Sequence, residues 1–238
     1  MKHFGDVGVA ATGHVYTVEM QRPPYNFFDI ALVSALADAF EYLDELDDCR
    51  ALVLCAQGKA FSAGANFQSD SGNSLFQSDT DDGADQLYRH AVRLFRTRKP
   101  VVAAVQGAAI GGGLGLALVG DFRVGCENTR LAANFVKLGV HAGFGISHVL
   151  PRIIGRQKAS LMLYTGRRVG PEEALNSGLL DLVTEAENLR NTAIELATEI
   201  SEAAPLAVES TRATLRMGLA DAIEEQVKTL DRELENAL

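Results

Sequence analysis

Two wholly apolar runs, Ala51–Ala56 (ALVLCA) and Val101–Val105 (VVAAV), constrain this chain more than any other feature. Each is short enough for a strand and too short for a buried helix, and neither shows polar alternation. That pattern suits strands covered on both faces, as in a parallel sheet. Phe122–Cys126 (FRVGC) reads as a further short strand, and the alternating Gly13–Met20 (GHVYTVEM) as another, broken by Arg22-Pro23-Pro24. Between these runs lie helical patterns. Ile30, Val33, Leu36, Ala37, Phe40 and Leu43 recur at helical spacing behind Asp29, a candidate N-cap. Asp85–Arg98 reads as an amphipathic helix stopped by Pro100. Strand and helix in alternation predict an α/β fold, a parallel sheet with right-handed crossovers.

After Leu150 the pattern turns helical. Pro171 behind Gly170 opens a helix and Gly178 ends it. Asn188–Ser201 and Pro205–Leu238 read as two more amphipathic helices. The 238 residues suit one large core, residues 1–180, with a helical C-terminal region, 181–238, fit for oligomerisation. Ser69–Asp85 is rich in Ser, Asp and Gly and reads as a surface loop, a candidate lid.

Charge and composition exclude several roles. The net charge of −9 disfavours attraction to nucleic acid or an anionic membrane. No apolar run is long enough to span a bilayer and the first residues lack a signal-peptide core, so a cytoplasmic protein is expected. Cys49, Cys55 and Cys126 are odd in number and form no CxxC, which suggests neither a disulfide framework nor a metal site. They read as small buried hydrophobes.

The chemistry concentrates at Gly111, Gly112, Gly113 and Gly115, which follow the second apolar run. A dinucleotide fingerprint fails, because the third glycine it needs is Leu118 in one register and Leu116 in the other. Gly58-Lys59-Ala60-Phe61 lacks the Ser or Thr of a phosphate-binding loop. What remains is donation of backbone N–H groups from a helix start to an oxygen that becomes negative. A second loop, Phe61–Asn66 (FSAGAN), follows the other buried strand, and both would leave the sheet on the same edge. Two converging amides make an oxyanion hole. The alternative is that these are packing glycines at tight turns.

These residues carry a resemblance. RPPYNFFD, GKAFSAGANF, KPVVAAVQGAAIGGGLGLALVGDFRV, LPRIIG and LYTGRRVGPEEALNSGLLDLV, in that order, resemble the crotonase (enoyl-CoA hydratase/isomerase) superfamily over nearly the whole chain. The resemblance implies a ββα spiral core, a C-terminal helical region used in trimers or hexamers, and an acyl-CoA substrate, with no cofactor beyond that coenzyme A. It implies that the amides of Ala65 and Gly112 hold the thioester oxygen, and that Ala63, Gly64 and Asn66 line the path of the coenzyme. It also implies two catalytic glutamates, at positions where this chain has Gly115 and Phe135. General acid–base groups contribute roughly 10²–10⁴-fold each, so an efficient hydratase is not expected. Isomerisation, hydrolysis, decarboxylation and non-catalytic acyl-CoA binding remain open. Phe135 hints at an apolar pocket wall and a bulky or aromatic acyl group.

His141, in the GVHAGFG loop, is the first candidate for a substitute acid or base, against a purely structural turn histidine. His90 and Asp70 are lesser candidates. Asp121 reads as structural. Arg22 could meet a coenzyme phosphate or serve the surface.

Overall fold

A computed structural model describes residues 1–66 and 82–226. Its main sheet has seven strands in the order β1 (Lys2–Phe4), β2 (Val7–Thr12), β3 (Val15–Met20), β4 (Ala51–Ala56), β5 (Val101–Val105), β7 (Phe122–Cys126) and β10 (Leu182–Thr184). The pairs from β3 to β10 are parallel, and β1–β2–β3 is an antiparallel meander. A small second sheet orders β6 (Ala108–Ile110), β8 (Arg130–Ala132) and β9 (Arg168–Val169). The α/β architecture expected from the alternation is present, and β4, β5 and β7 have the expected bounds.

The sheet is buried on both faces, as wholly apolar strands require. On one face, α1 (Ile30–Asp44) and α2 (Asp82–Phe95) pack over Val18, Leu52, Leu54, Val101 and Ala103. Asp29 caps α1, its carboxylate accepting from the Leu32 amide at 2.9 Å. The other face, Val53, Cys55, Val102, Ala104, Val124 and Cys126, is covered by α7 (Leu189–Ser201) through Leu189, Ala193 and Ala197. A helix placed by sequence in the C-terminal region is thus a layer of the main sheet. Between lie α3 (Gly112–Val119), α4 (Ile146–Ile154), α5 (Arg156–Thr165) and α6 (Pro171–Ser177).

Several elements differ from the sequence reading. The hairpin β1–β2 was not expected, because a three-residue strand beside Gly5 (φ +53°) carries little periodic signal. The helix expected from Asp85 begins at Asp82, inside the segment read as loop, so aspartates weigh little against helix at a first turn. The last helix is divided: α8 (Pro205–Leu215) ends before Gly218 (φ +70°), and a further helix covers 219–226. The remainder of the Ser69–Asp85 loop, including Asp70, and the stretch beyond 226 lie outside the described residues. No helix among the described residues is long and apolar enough to cross a membrane.

Candidate active site

Neighbouring parallel strands β4 and β5 leave the sheet on one edge and send their chains into the second sheet together. Beyond β4, the Phe61 amide donates to Gln106 O (2.8 Å) and the Ser62 amide to Ala108 O (3.0 Å). The Ile110 amide returns a bond to Ser62 O at 3.1 Å, so Ser62 pairs with β6 like an extra strand residue. The two glycine-bearing loops of the sequence therefore run side by side.

Close approach is enforced where they meet. Gly64 has φ +80°, and a Cβ there would lie 2.7 Å from Ile110 O and 3.9 Å from the Gly112 nitrogen. A Cβ on Gly113 would strike Ser62 O at 2.2 Å. Glycine at 64 and 113 is what allows two backbones to touch. Gly111 is the N-cap of α3, with no side-chain cap bond; its amide is taken by Ala132 O at 2.8 Å. The Gly112 and Gly113 amides belong to the first turn, which has no intrahelical acceptor. Helix dipole and free donors coincide at Gly112, a wall-to-wall neighbour of the loop carrying Ala65.

Asn26 holds the first loop, and sequence reasoning missed it. Fully buried at φ +45°, it donates from Nδ2 to Gln57 O (2.6 Å) and Ala60 O (2.8 Å) and accepts at Oδ1 from the Arg22 amide (3.0 Å). Its carbonyl accepts from Ser62 Oγ at 2.8 Å, and Phe28 N donates to Gly64 O at 3.1 Å. The available signal was an Asn after Pro-Pro-Tyr, a residue that tolerates left-handed backbone and bonds to nearby peptides. The Ala63 amide donates to Tyr25 O at 2.9 Å. Asn66 is half-buried at the last described position of this loop.

Two glycines of α3 lie under aromatic rings. A Cβ on Gly112 would lie 2.0 Å from the Phe28 ring, and one on Gly115 would lie 2.6 Å from the Phe144 ring. Position 115 therefore has no room for a longer side chain while Phe144 stays in place. Phe135 opens a short 3₁₀ turn, Phe135–Leu138, and its ring tip stands 3.9 Å from where a Gly111 side chain would be. It edges the glycine turn with an apolar surface.

The structure sorts the titratable candidates. His141 is exposed, with Nδ1 3.0 Å from Ala142 O, and lies near His148. His148 is held below the ordinary imidazole range by burial, then by Arg152 and His141. His90 faces away from the glycines: its Nδ1 is 2.8 Å from Arg93, which binds Asp38 and Glu41 on the α1–α2 surface. Arg22 is committed to Asp6 (2.6 Å) and Asp29 (2.8 Å), a cross-link under the Pro-Pro turn. Asp121 is structural, accepting from the Val101 amide (2.8 Å), Arg212 (2.7 Å) and Arg216 (2.9 Å). Burial pushes the Cys49 and Cys55 thiols up to about 12, so neither is a nucleophile.

Comparison with known proteins places the chain in a family. Residues 10–237 match the family Enoyl-CoA hydratase/isomerase. A Thermus thermophilus protein provisionally named an enoyl-CoA hydratase is 35% identical over 221 residues, which cover 88% of this chain and 85% of that one. A human mitochondrial Delta(3,5)-Delta(2,4)-dienoyl-CoA isomerase is 32% identical over 87% of this chain and 66% of its own length. The crystal structure of an enoyl-CoA hydratase/isomerase from Pseudoalteromonas atlantica superposes with a TM-score of 0.85 at 27% identity, covering 94% of this chain and 88% of that one. Sequence, fold and glycine-lined junction converge: the chain belongs to the enoyl-CoA hydratase/isomerase family.

Proposed function

We propose that this protein binds an acyl-CoA thioester with its carbonyl oxygen between the amides of Ala65 and Gly112, and stabilises the enolate formed there. The observation that carries the reading is the seating of the Ser62–Asn66 loop against Ile110–Gly112, with a Cβ on Gly64 falling 3.9 Å from the Gly112 nitrogen. A negative oxygen at that point would meet first-turn amides and the positive end of α3, worth roughly 10²–10³-fold in rate per donor. Ala63, Gly64 and Asn66 would border the coenzyme.

The reaction is not efficient water addition. Gly115 and Phe135 stand where the hydratase glutamates are expected, and a phenyl ring fills the space beside Gly115. Reactions that place negative charge on the thioester oxygen fit better: isomerisation and decarboxylation through an enolate, and thioester hydrolysis through a tetrahedral oxyanion; some relatives bear isomerase names. His141 is the proposed proton carrier. We place the protein in the cytoplasm as a homotrimer or hexamer with no cofactor beyond coenzyme A.

A second reading is a non-catalytic acyl-CoA binder. It is favoured by the exposure of His141 and by the phenyl ring over Gly115. Loss of conjugated-thioester absorbance on mixing with crotonyl-CoA tests both, with a known hydratase as control. Turnover within about a hundredfold of the control, the scale of one acid–base group, would refute the assignment of positions 115 and 135. Turnover of an isomerisable enoyl-CoA that His141→Ala abolishes, with thioester binding retained, supports the enzyme.

A further inference from the structure

Phe144 occupies an uncommon position. Its φ of +56° lies in the left-handed region, which bulky residues seldom adopt, and it is 2% exposed. Gly143 and Gly145 flank it, and Gly145 also has a positive φ. The surrounding structure over-determines the conformation. The ring meets Phe28 edge-on (6.0 Å between centroids, 64°) and Phe95 likewise (6.4 Å, 62°).

This pair walls one face of α3. Phe28 covers the Cβ direction of Gly112, and Phe144 covers that of Gly115. Positions three apart share a helix face and lie about 4.5 Å apart along the axis. Both rings are buried and stand against that face of α3.

We propose that Phe144 sets acyl specificity, restricting the site to acyl groups of about four carbons or fewer, because a longer chain leaving Gly112 along α3 meets the Phe28–Phe144 wall. This inference rests on the thioester site proposed above. It limits the depth of the pocket on the α3 side and replaces the expectation of a bulky acyl group drawn from Phe135, whose ring tip stands beside Gly111.

The test is calorimetric binding of acetyl-, butyryl-, hexanoyl- and octanoyl-CoA to the wild type, Phe144→Ala and Phe144→Leu, after circular dichroism shows each variant folded. The wild type should bind octanoyl-CoA at least tenfold more weakly than butyryl-CoA. Phe144→Ala should reverse that order, gaining about fourfold for each methylene the new space admits. Phe144→Leu, which keeps more of the core volume, should fall between. A wild type that binds octanoyl-CoA as tightly as butyryl-CoA overturns the inference alone, as does a folded variant with an unaltered length profile. Failure of any thioester to bind overturns the site itself, and this inference with it.

Discussion

Replacing Asn26 with Ala should be among the most damaging single changes away from α3. The side chain is fully buried, and its removal leaves Gln57 O, Ala60 O and the Arg22 amide without their bonds at 2.6, 2.8 and 3.0 Å. An orphaned buried polar group costs about 1–3 kcal/mol, so three interdependent ones come to about 3–4 kcal/mol. Alanine at φ +45° adds about 1 kcal/mol that Asn avoids in part. A loss of about 4 kcal/mol is a large share of the 5–15 kcal/mol typical of a domain. Urea unfolding followed by circular dichroism reads it as a lowered midpoint at constant slope. Asn26→Gly separates the terms, since it relieves the backbone and leaves the hydrogen-bond loss. It should recover about 1 kcal/mol relative to Asn26→Ala. An Asn26→Ala protein within about 0.5 kcal/mol of the wild type would refute the clamp, because only a surface change is that mild.

Three other perturbations probe different parts of the account. Gly115→Glu alone should destabilise by about 1–3 kcal/mol through its collision with Phe144 and add no hydration of crotonyl-CoA, whereas Gly115→Glu with Phe144→Ala should fold better and show measurable hydration in the absorbance assay. Asp121→Asn should cost about 3 kcal/mol in urea, because Arg212 and Arg216 keep their buried charges and lose their shared carboxylate. His90 is held below the ordinary histidine range by burial and then by Arg93. The folded state thus binds fewer protons there than the unfolded state, so stability is full above the unfolded value of about 6.5 and falls as pH drops from there toward the lower folded value. His90→Gln should flatten that slope in melting temperature between pH 7 and pH 5.

Much of this was legible because burial on both faces writes itself plainly in a sequence. ALVLCA and VVAAV became β4 and β5 with the expected ends, since wholly apolar runs admit few alternatives. Asp29 announced its helix by chemistry that acts within three residues. The same locality explains the misses. Asn26 acts on Gln57 and Ala60, more than thirty residues away, and no local pattern encodes that partnership. Phe144 looked like one more apolar residue in a glycine-rich loop. Only the fold sets its ring against Gly115. His141 and His90 were singled out by residue type and by the loop and helix that border the acyl pocket in the family this chain resembles. The fold sends His90 to the α1–α2 surface and leaves His141 exposed on its loop. The glycines themselves divide by surroundings: Gly64 and Gly113 permit contact between two backbones, Gly112 lies under the Phe28 ring at the start of α3, and Gly115 receives the Phe144 ring.

The central claim is that two backbone amides polarise a thioester carbonyl. The most direct measurement is the infrared difference spectrum of butyryl-CoA, carbon-13 labelled at the thioester carbonyl, free and bound to the protein. The account predicts that the labelled stretch moves to lower frequency on binding, as hydrogen bonds from Ala65 and Gly112 draw charge onto the oxygen. A fully bound ligand whose carbonyl frequency is unchanged from water would contradict it.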